Sequence, residues 1–271
     1  MSVGGGLKPL AEPMEQPLVA QNGASMMNLP GQEAVQLRDL AGIEAPIELD
    51  LDPKARILTN SLRPVVLERY RRLRTKLIQE GVGTSVRSVM VTSATPEEGK
   101  TLTVLNLALS FAMLSPYRVV VVDGDLRCSS IAQWLGAPYC PGLGNLIDGT
   151  AKLKDVVRKS EQFPIHLIFA GDSTEAPAEL LEPTRLRQCV NQLTQYFDLV
   201  LIDSPPINLI AGTHLLAQSC DGIVLVARAY STKRKAFEKA VHDLAGHRIL
   251  GAVLNAGSDT RDYGRYRSGY Y

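Results

Sequence analysis

Three short apolar runs, each followed by residues that bind phosphate or metal ions, constrain this chain more than any other feature. Residues 89–101 pass from valine and methionine into a Gly-Lys-Thr sequence. Residues 119–125 are four valines followed by Asp-Gly-Asp, and residues 199–206 end in Asp-Ser-Pro-Pro. Near-continuous aliphatic runs are typical of parallel strands buried on both faces, and ligands bind beyond the carboxyl ends of such strands. We therefore expect the three polar endings to lie together at one edge of a sheet.

From residue 86 onward, such runs alternate with stretches of helical period. The pattern predicts an α/β fold like that of P-loop NTPases, with a mostly parallel sheet and helices on both faces. The predicted strands are 87–92, 118–123, 165–169, 198–203, 222–227 and 249–254. The predicted helices are 64–80, 100–114, 128–136, 143–148, 152–159, 182–196, 212–219 and 232–246.

Composition divides the chain into three regions. Residues 1–60 are rich in Gly, Pro, Met, Gln and Asn, which predicts a largely disordered arm, and the alternating segment 47–52 could add an edge strand. Residues 61–258 contain the alternating strands and helices, beginning with the helix at 64–80. Residues 259–271 have no aliphatic side chains and predict a flexible tail rich in tyrosine.

The overall composition argues against several classes of protein. With 45% hydrophobic residues the chain can bury a core, and its net charge of +1 gives no reason to expect nucleic-acid binding. No apolar stretch approaches the roughly 20 residues that span a bilayer, and no signal peptide is evident, so we expect membrane association only through a partner. No C-x-x-C pair is present, which favours a reducing cytoplasm over disulfides or zinc. The cysteines are Cys128, Cys140, Cys189 and Cys220.

The Gly-Lys-Thr sequence matches the end of the phosphate-loop pattern G-x-x-x-x-G-K-[ST], with Ala94 at the first glycine position. In such a loop, backbone N–H groups surround the phosphates, the lysine reaches the β and γ oxygens, and the threonine binds Mg²⁺. The alternative is a helix start that Thr101 merely caps. We favour the loop because it lies between an apolar strand and an amphipathic helix. The candidate ATP-binding residues are Pro96, Glu97, Glu98, Gly99, Lys100, Thr101 and Leu102.

Acidic residues follow the other two strands. Asp123 and Asp125 are spaced by one residue, so one carboxylate can act on the metal side and the other toward an incoming hydroxyl. Asp203 can hold Mg²⁺ through a water molecule. Acids at strand ends can also simply cap turns, but three of them beside a phosphate loop favour catalysis. We predict Lys100, Asp123 and Asp125 as catalytic and Thr101, Asp125 and Asp203 as metal-binding, with Asp123 and Asp125 exchangeable in role.

These segments resemble those of the bacterial tyrosine kinases that govern capsule and exopolysaccharide export. Residues 93–101 are similar to the Walker A segment of that family, residues 122–127 to its Walker A′ segment, and residues 201–206 to its Walker B segment. Two further stretches, 177–181 and 250–255, are similar as well. The resemblance implies a P-loop fold, ATP and Mg²⁺ as cofactors, and tyrosine hydroxyls as acceptors.

The resemblance extends over about residues 61–271 and adds further candidates. In related P-loop ATPases an asparagine at the corresponding position contacts adenine, which makes Asn255 a candidate base contact. Glu68, Arg71 and Arg74 fit an E-x-x-R-x-x-R pattern through which such kinases pack into rings. On spacing alone, these three residues would be an exposed helix face with ordinary ion pairs.

The tail matches the acceptor tail of the same family. Its tyrosines stand among glycine, arginine and serine, and each phosphate would add about −1.5 to −2 charges at pH 7. On composition alone, the tail could equally be a disordered terminus or dock its aromatic rings on a partner. The candidate phosphoacceptors are Tyr263, Tyr266, Tyr270 and Tyr271.

The resemblance also implies partners and a location. It implies a homo-oligomeric ring, a separate membrane-spanning polysaccharide co-polymerase that activates the kinase, and a tyrosine phosphatase. The kinase would be cytoplasmic, peripheral at the inner face of the plasma membrane. In two places the chain departs from the family pattern: Glu97 stands where glycine is common, and Gly212 and Thr213 replace an Asp-Ala pair. Neither departure removes a phosphate or metal contact, so we expect activity.

Two other functions fit parts of the sequence. Partitioning and division-site ATPases of the Min/Par type share this branch of P-loop proteins, but they have a second lysine near the loop start, and residues 89–98 contain none. The C-terminus also lacks the basic amphipathic helix that would attach such a protein to a membrane. An inactive scaffold that binds nucleotide is the third reading, which metal-dependent turnover would exclude.

Overall fold

The computed structural model describes residues 37–51, 64–114, 117–171 and 183–257, and within these ranges a single eight-stranded sheet forms the centre. The strands are β1 (Ala45–Ile47), β2 (Ser88–Ser93), β3 (Val119–Asp123), β4 (Arg158–Ser160), β5 (His166–Ile168), β6 (Leu199–Asp203), β7 (Gly222–Arg228) and β8 (Ile249–Asn255). The helices are α1 (Pro64–Gln79), α2 (Lys100–Ala112), α3 (Ile131–Leu135), α4 (Leu143–Asp148), α5 (Leu153–Val156), α6 (Pro183–Leu193), α7 (Gly212–Ser219) and α8 (Arg234–Asp243).

The three strands with polar endings are neighbours at the centre of the sheet. The strand order is β1-β4-β5-β3-β6-β2-β7-β8, and all neighbouring pairs are parallel except β4 with β5. Asp123 on β3 is the register partner of Asp203 on β6, which in turn lies opposite Val91 on β2. The mostly parallel α/β sheet and the meeting of the three endings at one edge are both confirmed.

Aliphatic residues cover both faces of the central strands, so the sheet is buried between two layers of helices. On β3, Val120 and Val122 join a core cluster that includes Leu193 of α6. Val121 belongs to the cluster on the opposite face, together with Phe111 of α2. Burial of one such side chain is worth about 1.5–3 kcal/mol, so these two clusters hold the edge that bears the site in place.

The predicted disordered arm extends too far along the chain, because residues 37–51 pack on the sheet. Their strand β1 pairs with β4 and lies slightly before the segment predicted at 47–52. Beside it, Oε2 of Glu44 bonds to Nε2 of His166 at 2.6 Å, and Oε1 forms an ion pair with Lys159 at 3.1 Å. These contacts join residues far apart in sequence, which local composition does not reveal. The rest of the arm lies outside the described residues.

The helix predicted at 152–159 is wrong over its second half. Helix α5 ends at Val156, and the chain continues as β4, which pairs with β1 on one side and β5 on the other. Val156 and Val157 are fully buried, and periodicity cannot separate a helix from a strand in so short an apolar run. Within the described residues, no helix combines the length and apolar character that a membrane span requires.

Candidate nucleotide and metal site

The phosphate loop connects β2 to α2 and has two residues in the left-handed region of backbone space. Gly99 has a φ of 88°, and a Cβ atom there would lie 2.0 Å from Nδ2 of Asn255, so only glycine fits. Glu97 has a φ of 61°, which costs a residue with a Cβ atom roughly 1–2 kcal/mol. The position at which the resembling family often has glycine is therefore one where glycine would relieve strain.

Glu98 braces the loop from inside. Its Oε2 atom accepts the N–H groups of Ala94 at 3.0 Å and Thr95 at 3.4 Å. Its Oε1 atom accepts the hydroxyls of Thr95 at 2.8 Å and Thr232 at 2.5 Å. The carboxylate is buried and occupied by these four donors, so it is not available to a ligand. The predicted contact of Glu98 with ATP stays a prediction, for its main chain alone.

Thr101, in the first turn of α2, lies against the end of β6. Its hydroxyl donates to Oδ2 of Asp203 at 2.5 Å and lies 2.8 Å from the hydroxyl of Ser130. The other oxygen of Asp203, Oδ1, is buried without a hydrogen-bond partner. Because buried polar atoms are nearly always bonded, this orphaned carboxylate oxygen beside a threonine hydroxyl is a candidate ligand for a cation. Such oxygen ligands suit Mg²⁺.

The protein ligands do not form a complete cage. Among the described residues, no group of three or more His, Cys, Asp or Glu side chains is arranged to hold a metal ion. Mg²⁺ usually keeps several waters and binds through one or two carboxylates plus substrate phosphates, so it does not need such a cage. Thr101 and Asp203, two of the three predicted ligands, come together and fit a Mg²⁺ ion of this kind.

Asp123, at the end of β3, is fully buried and accepts three hydrogen bonds. Its Oδ2 atom takes the hydroxyl of Ser129 at 2.8 Å and the N–H of Ile131 at 3.3 Å, and Oδ1 takes the N–H of Asp125 at 3.2 Å. Because Asp203 is its register partner on the next strand, two buried carboxylates stand side by side.

Burial dominates the electrostatics of both acids. Burial, followed by the nearby charge of Asp123, raises the pKa of Asp203 to about 7, whereas the Thr101 hydrogen bond and the charge of Lys100 lower it. Burial raises the pKa of Asp123 to about 6, against the opposing effect of the Ser129 hydrogen bond. Perturbed carboxylic acids of this kind are characteristic of functional sites.

Asp125 is turned toward its own loop. Its Oδ1 atom accepts the N–H groups of Arg127 at 3.3 Å and Cys128 at 3.0 Å. These bonds hold the chain in a non-helical turn, so α3 begins at Ile131 rather than at residue 128 as predicted. The catalytic and metal-binding roles of Asp125 stay predictions.

Asn255, predicted to contact adenine, lies against the phosphate loop. Its Nδ2 atom donates to the carbonyl of Glu98 at 3.0 Å, and its Oδ1 accepts the N–H of Ala256 at 2.8 Å. The end of β8 is thereby joined to the segment predicted to hold the phosphates. The adenine contact itself stays a prediction.

Four residues that support this site belong to no motif in the sequence analysis. Ser129 bonds to Asp123, Ser130 bonds to Thr101, and Thr232 bonds to the carboxylate of Glu98. Arg228, the last residue of β7, donates to the carbonyl of Glu97 at 3.1 Å. The two serines follow the Asp-Gly-Asp sequence closely, a signal that could have identified them, whereas nothing local marks Arg228 or Thr232.

The predicted oligomerisation residues lie on α1. Glu68 pairs with Arg71 at 3.8 Å and with Arg72 at 3.7 Å, and these side chains are 40–57% exposed. Arg74 instead turns inward and donates to the carbonyl of Ser110 on α2. Glu68 and Arg71 are thus accessible, while Arg74 joins the two helices. Their packing of subunits stays a prediction.

Several predicted features fall elsewhere. The tyrosines Tyr263, Tyr266, Tyr270 and Tyr271 and residues 177–181 lie outside the described residues. Gly212 and Thr213, which replace the Asp-Ala pair of the resembling family, begin α7 and are buried.

Known proteins resemble this chain in both sequence and structure. The tyrosine-protein kinase YwqD of Bacillus subtilis is 31% identical over 206 residues, which cover 75% of this chain and 85% of YwqD. The solved kinase domain of VpsO is 32% identical, with a TM-score of 0.64 over 70% of this chain and 96% of that domain. No protein-family model matches the chain.

The septum site-determining protein MinD of Pyrococcus horikoshii, solved with Mg-ADP, is 24% identical with a TM-score of 0.54. The match covers 62% of this chain and 69% of MinD, and at this identity it shows a shared fold alone. The relation to YwqD is closer and spans most of both proteins, and it agrees with the phosphate loop and the paired acids described above. The chain belongs to the bacterial tyrosine-protein kinases, enzymes built on a mostly parallel P-loop sheet.

Proposed function

We propose that this kinase transfers the γ-phosphoryl group of ATP to its own C-terminal tyrosines, Tyr263, Tyr266, Tyr270 and Tyr271, with one subunit acting on the tail of another. The observation that supports this most is the pairing of Thr101 with Asp203 beside the buried Asp123. A candidate cation position and a buried, hydrogen-bonded acid lie at one sheet edge, next to a phosphate loop. Phosphoryl transfer needs this combination, because it relies on positioning and charge neutralisation.

In this mechanism Lys100 and the N–H groups of the loop bind the β- and γ-phosphates. Thr101 and Asp203 would hold Mg²⁺, which supplies charge neutralisation on the phosphates when bound. Asp123 orients the tyrosine hydroxyl and accepts its proton as the new O–P bond forms. The bond between the γ-phosphorus and the β–γ bridging oxygen breaks, and ADP leaves. A pKa of about 6 keeps Asp123 mostly ionised at pH 7 while leaving it basic enough to take a proton.

Delivery of the tail follows from assembly. We expect Glu68 and Arg71, with Arg74 behind them, to pack subunits into a ring that presents each tail to a neighbouring site. Each phosphate adds about −1.5 to −2 charges to the tail, so several would weaken its docking and loosen the ring. A phosphatase would reverse the change.

This cycle would regulate polymerisation and export of an exopolysaccharide or capsule. The kinase would act from the cytoplasm at the inner face of the plasma membrane, held there by a separate membrane-spanning activator. In this proposal the activator is the component on which the location depends.

The test is to map phosphate by mass spectrometry after incubating the full chain with ATP, Mg²⁺ and a soluble activator fragment. We expect phosphate on the tail tyrosines, its loss in Asp123→Asn and Lys100→Met, and normal ATP binding in Asp123→Asn. A tail in which the four tyrosines are replaced by phenylalanine is the matched control for acceptor identity. ATP hydrolysis with an unmodified tail, even with the activator, would contradict the proposal and favour a switch ATPase.

A further inference from the structure

Two adjacent serines after β3 reach the two halves of the site separately. Ser129 donates its hydroxyl to Oδ2 of Asp123 at 2.8 Å. Ser130 places its hydroxyl 2.8 Å from that of Thr101. A single short turn therefore contacts both the candidate proton acceptor and the candidate metal ligand.

The Ser130 contact has a defined direction. Thr101 has one hydroxyl hydrogen and gives it to Oδ2 of Asp203 at 2.5 Å. When Asp203 is ionised, Ser130 is therefore the donor in its bond to Thr101. That bond keeps the Thr101 hydroxyl directed toward Asp203. It thereby orients both candidate Mg²⁺ ligands, Thr101 and Asp203.

The Ser129 contact differs because it acts on the carboxylate of Asp123 directly. The other two donors to Asp123 are the main-chain N–H groups of Asp125 and Ile131, at 3.2 and 3.3 Å. Within the described residues, Ser129 supplies the one side-chain hydrogen bond to this carboxylate and the shortest of the three. It therefore has the largest influence on which way the carboxylate faces.

We infer that Ser129 and Ser130 are positioning residues with separate tasks, which rests on the function proposed above. Ser129 orients the Asp123 carboxylate for the incoming tyrosine hydroxyl. Ser130 orients the Thr101 hydroxyl for the metal side. Loss of the Ser129 hydroxyl should then impair the chemical step, and loss of the Ser130 hydroxyl should impair binding of the metal–nucleotide complex.

The two alanine variants should give opposite kinetic signatures. We expect Ser129→Ala to lower kcat about fivefold to tenfold, in the range of one lost hydrogen bond, with KM for ATP within about twofold of the parent. We expect Ser130→Ala to raise the Mg²⁺ concentration for half-maximal rate about fivefold, with kcat at saturating Mg²⁺ within about twofold. Ser129→Thr and Ser130→Thr keep a hydroxyl and should restore most of each loss.

The experiment measures tail phosphorylation by the full chain with activator, and separately measures ADP binding by calorimetry across a Mg²⁺ titration. Cys128→Ala is the matched control, since its thiol is exposed and only its main chain bonds to Asp125. Weaker Mg²⁺-dependent ADP binding in Ser130→Ala alone would support the assignment of Ser130 independently of any kinase activity.

Equal effects of both alanine variants on kcat and on Mg²⁺-dependent ADP binding would overturn the inference. Failure of the threonine variants to recover would also overturn it. If the parent hydrolyses ATP without modifying tyrosine, the proposed function fails, and the separation of the two serines is then decided by hydrolysis rate and ADP binding.

Discussion

Glu98 and Asp203 are both buried carboxylates at the nucleotide site, yet their surroundings differ. Glu98 accepts two N–H groups and two hydroxyls, whereas Asp203 accepts one hydroxyl through Oδ2 and leaves Oδ1 without a partner. A buried charge surrounded by donors stabilises the local fold, while one that lacks a partner is unfavourable until a ligand compensates it. We therefore expect Glu98 to maintain the shape of the phosphate loop and Asp203 to act in metal binding.

The largest effect should come from Asp203→Asn. We expect tail phosphorylation at saturating Mg²⁺ to fall about a hundredfold or more, because a neutral amide cannot compensate the cation. The measurement is kcat/KM for the full chain with activator. Glu238→Gln is the control, since it only breaks an exposed ion pair with Arg234 on α8. A loss of less than about tenfold would contradict the prediction that Asp203 binds Mg²⁺.

Glu98→Gln should act on stability first. Glutamine replaces one carboxylate oxygen, an acceptor, by an amide NH₂ group, which is a donor and would face the existing N–H and hydroxyl donors. We therefore expect the free energy of unfolding to fall by about 2–3 kcal/mol and KM for ATP to rise. Urea denaturation monitors the first quantity. Thr232→Val removes one of the four donors and should cost about 1 kcal/mol. An unchanged urea midpoint in Glu98→Gln would contradict the role of Glu98 in stabilising the phosphate loop.

The pH dependence of stability should follow the opposite sign from an ordinary stabilising carboxylate. Folding raises the pKa of Asp123 to about 6 and of Asp203 to about 7, so the folded state binds more protons than the unfolded state. Without Mg²⁺, these groups should make the free energy of unfolding fall as pH rises from about 4 to about 7.

Asp203→Asn tests the same point from another side. At pH 8 with a chelator, the variant should be more stable than the parent by on the order of 2 kcal/mol, since one pKa unit is worth about 1.4 kcal/mol and relaxation of the site recovers part of the shift. Thermal unfolding at pH 5 and pH 8 measures both arms. A variant less stable than the parent at pH 8 would show that this acid supports the fold as Glu98 does.

The smallest effect belongs to Glu97→Gly. Glycine relieves the left-handed backbone at φ 61° but adds freedom to the unfolded chain, so we expect a net gain of about 0.5 kcal/mol. Differential scanning calorimetry resolves the shift in Tm, with Glu97→Ala as the control that retains the strain. A clear loss of stability would indicate that the Glu97 side chain makes a contact that matters more than the strain.

Sequence reasoning succeeded where local pattern and chemistry coincide. The apolar runs at β2, β3 and β6 predict a parallel sheet, and parallel strands bring their carboxyl ends to one edge. The structure confirms that Thr101, Asp123 and Asp203 meet at that edge. It failed where one short segment fits two structures. β4 was read as helix because its apolar neighbours lack a decisive period.

The class of fold, the phosphate loop and the acids at the sheet edge follow from the amino-acid sequence alone, because strand periodicity and the spacing of Gly99, Lys100 and Thr101 are local properties. The inward direction of the Glu98 side chain and the bond from Arg74 to α2 instead depend on how the whole chain packs. The reason is distance along the chain, because Glu98 is held in place partly by Thr232, which is 134 residues away from it. No local pattern specifies such a pair, since the folding of the whole sheet brings its two members together.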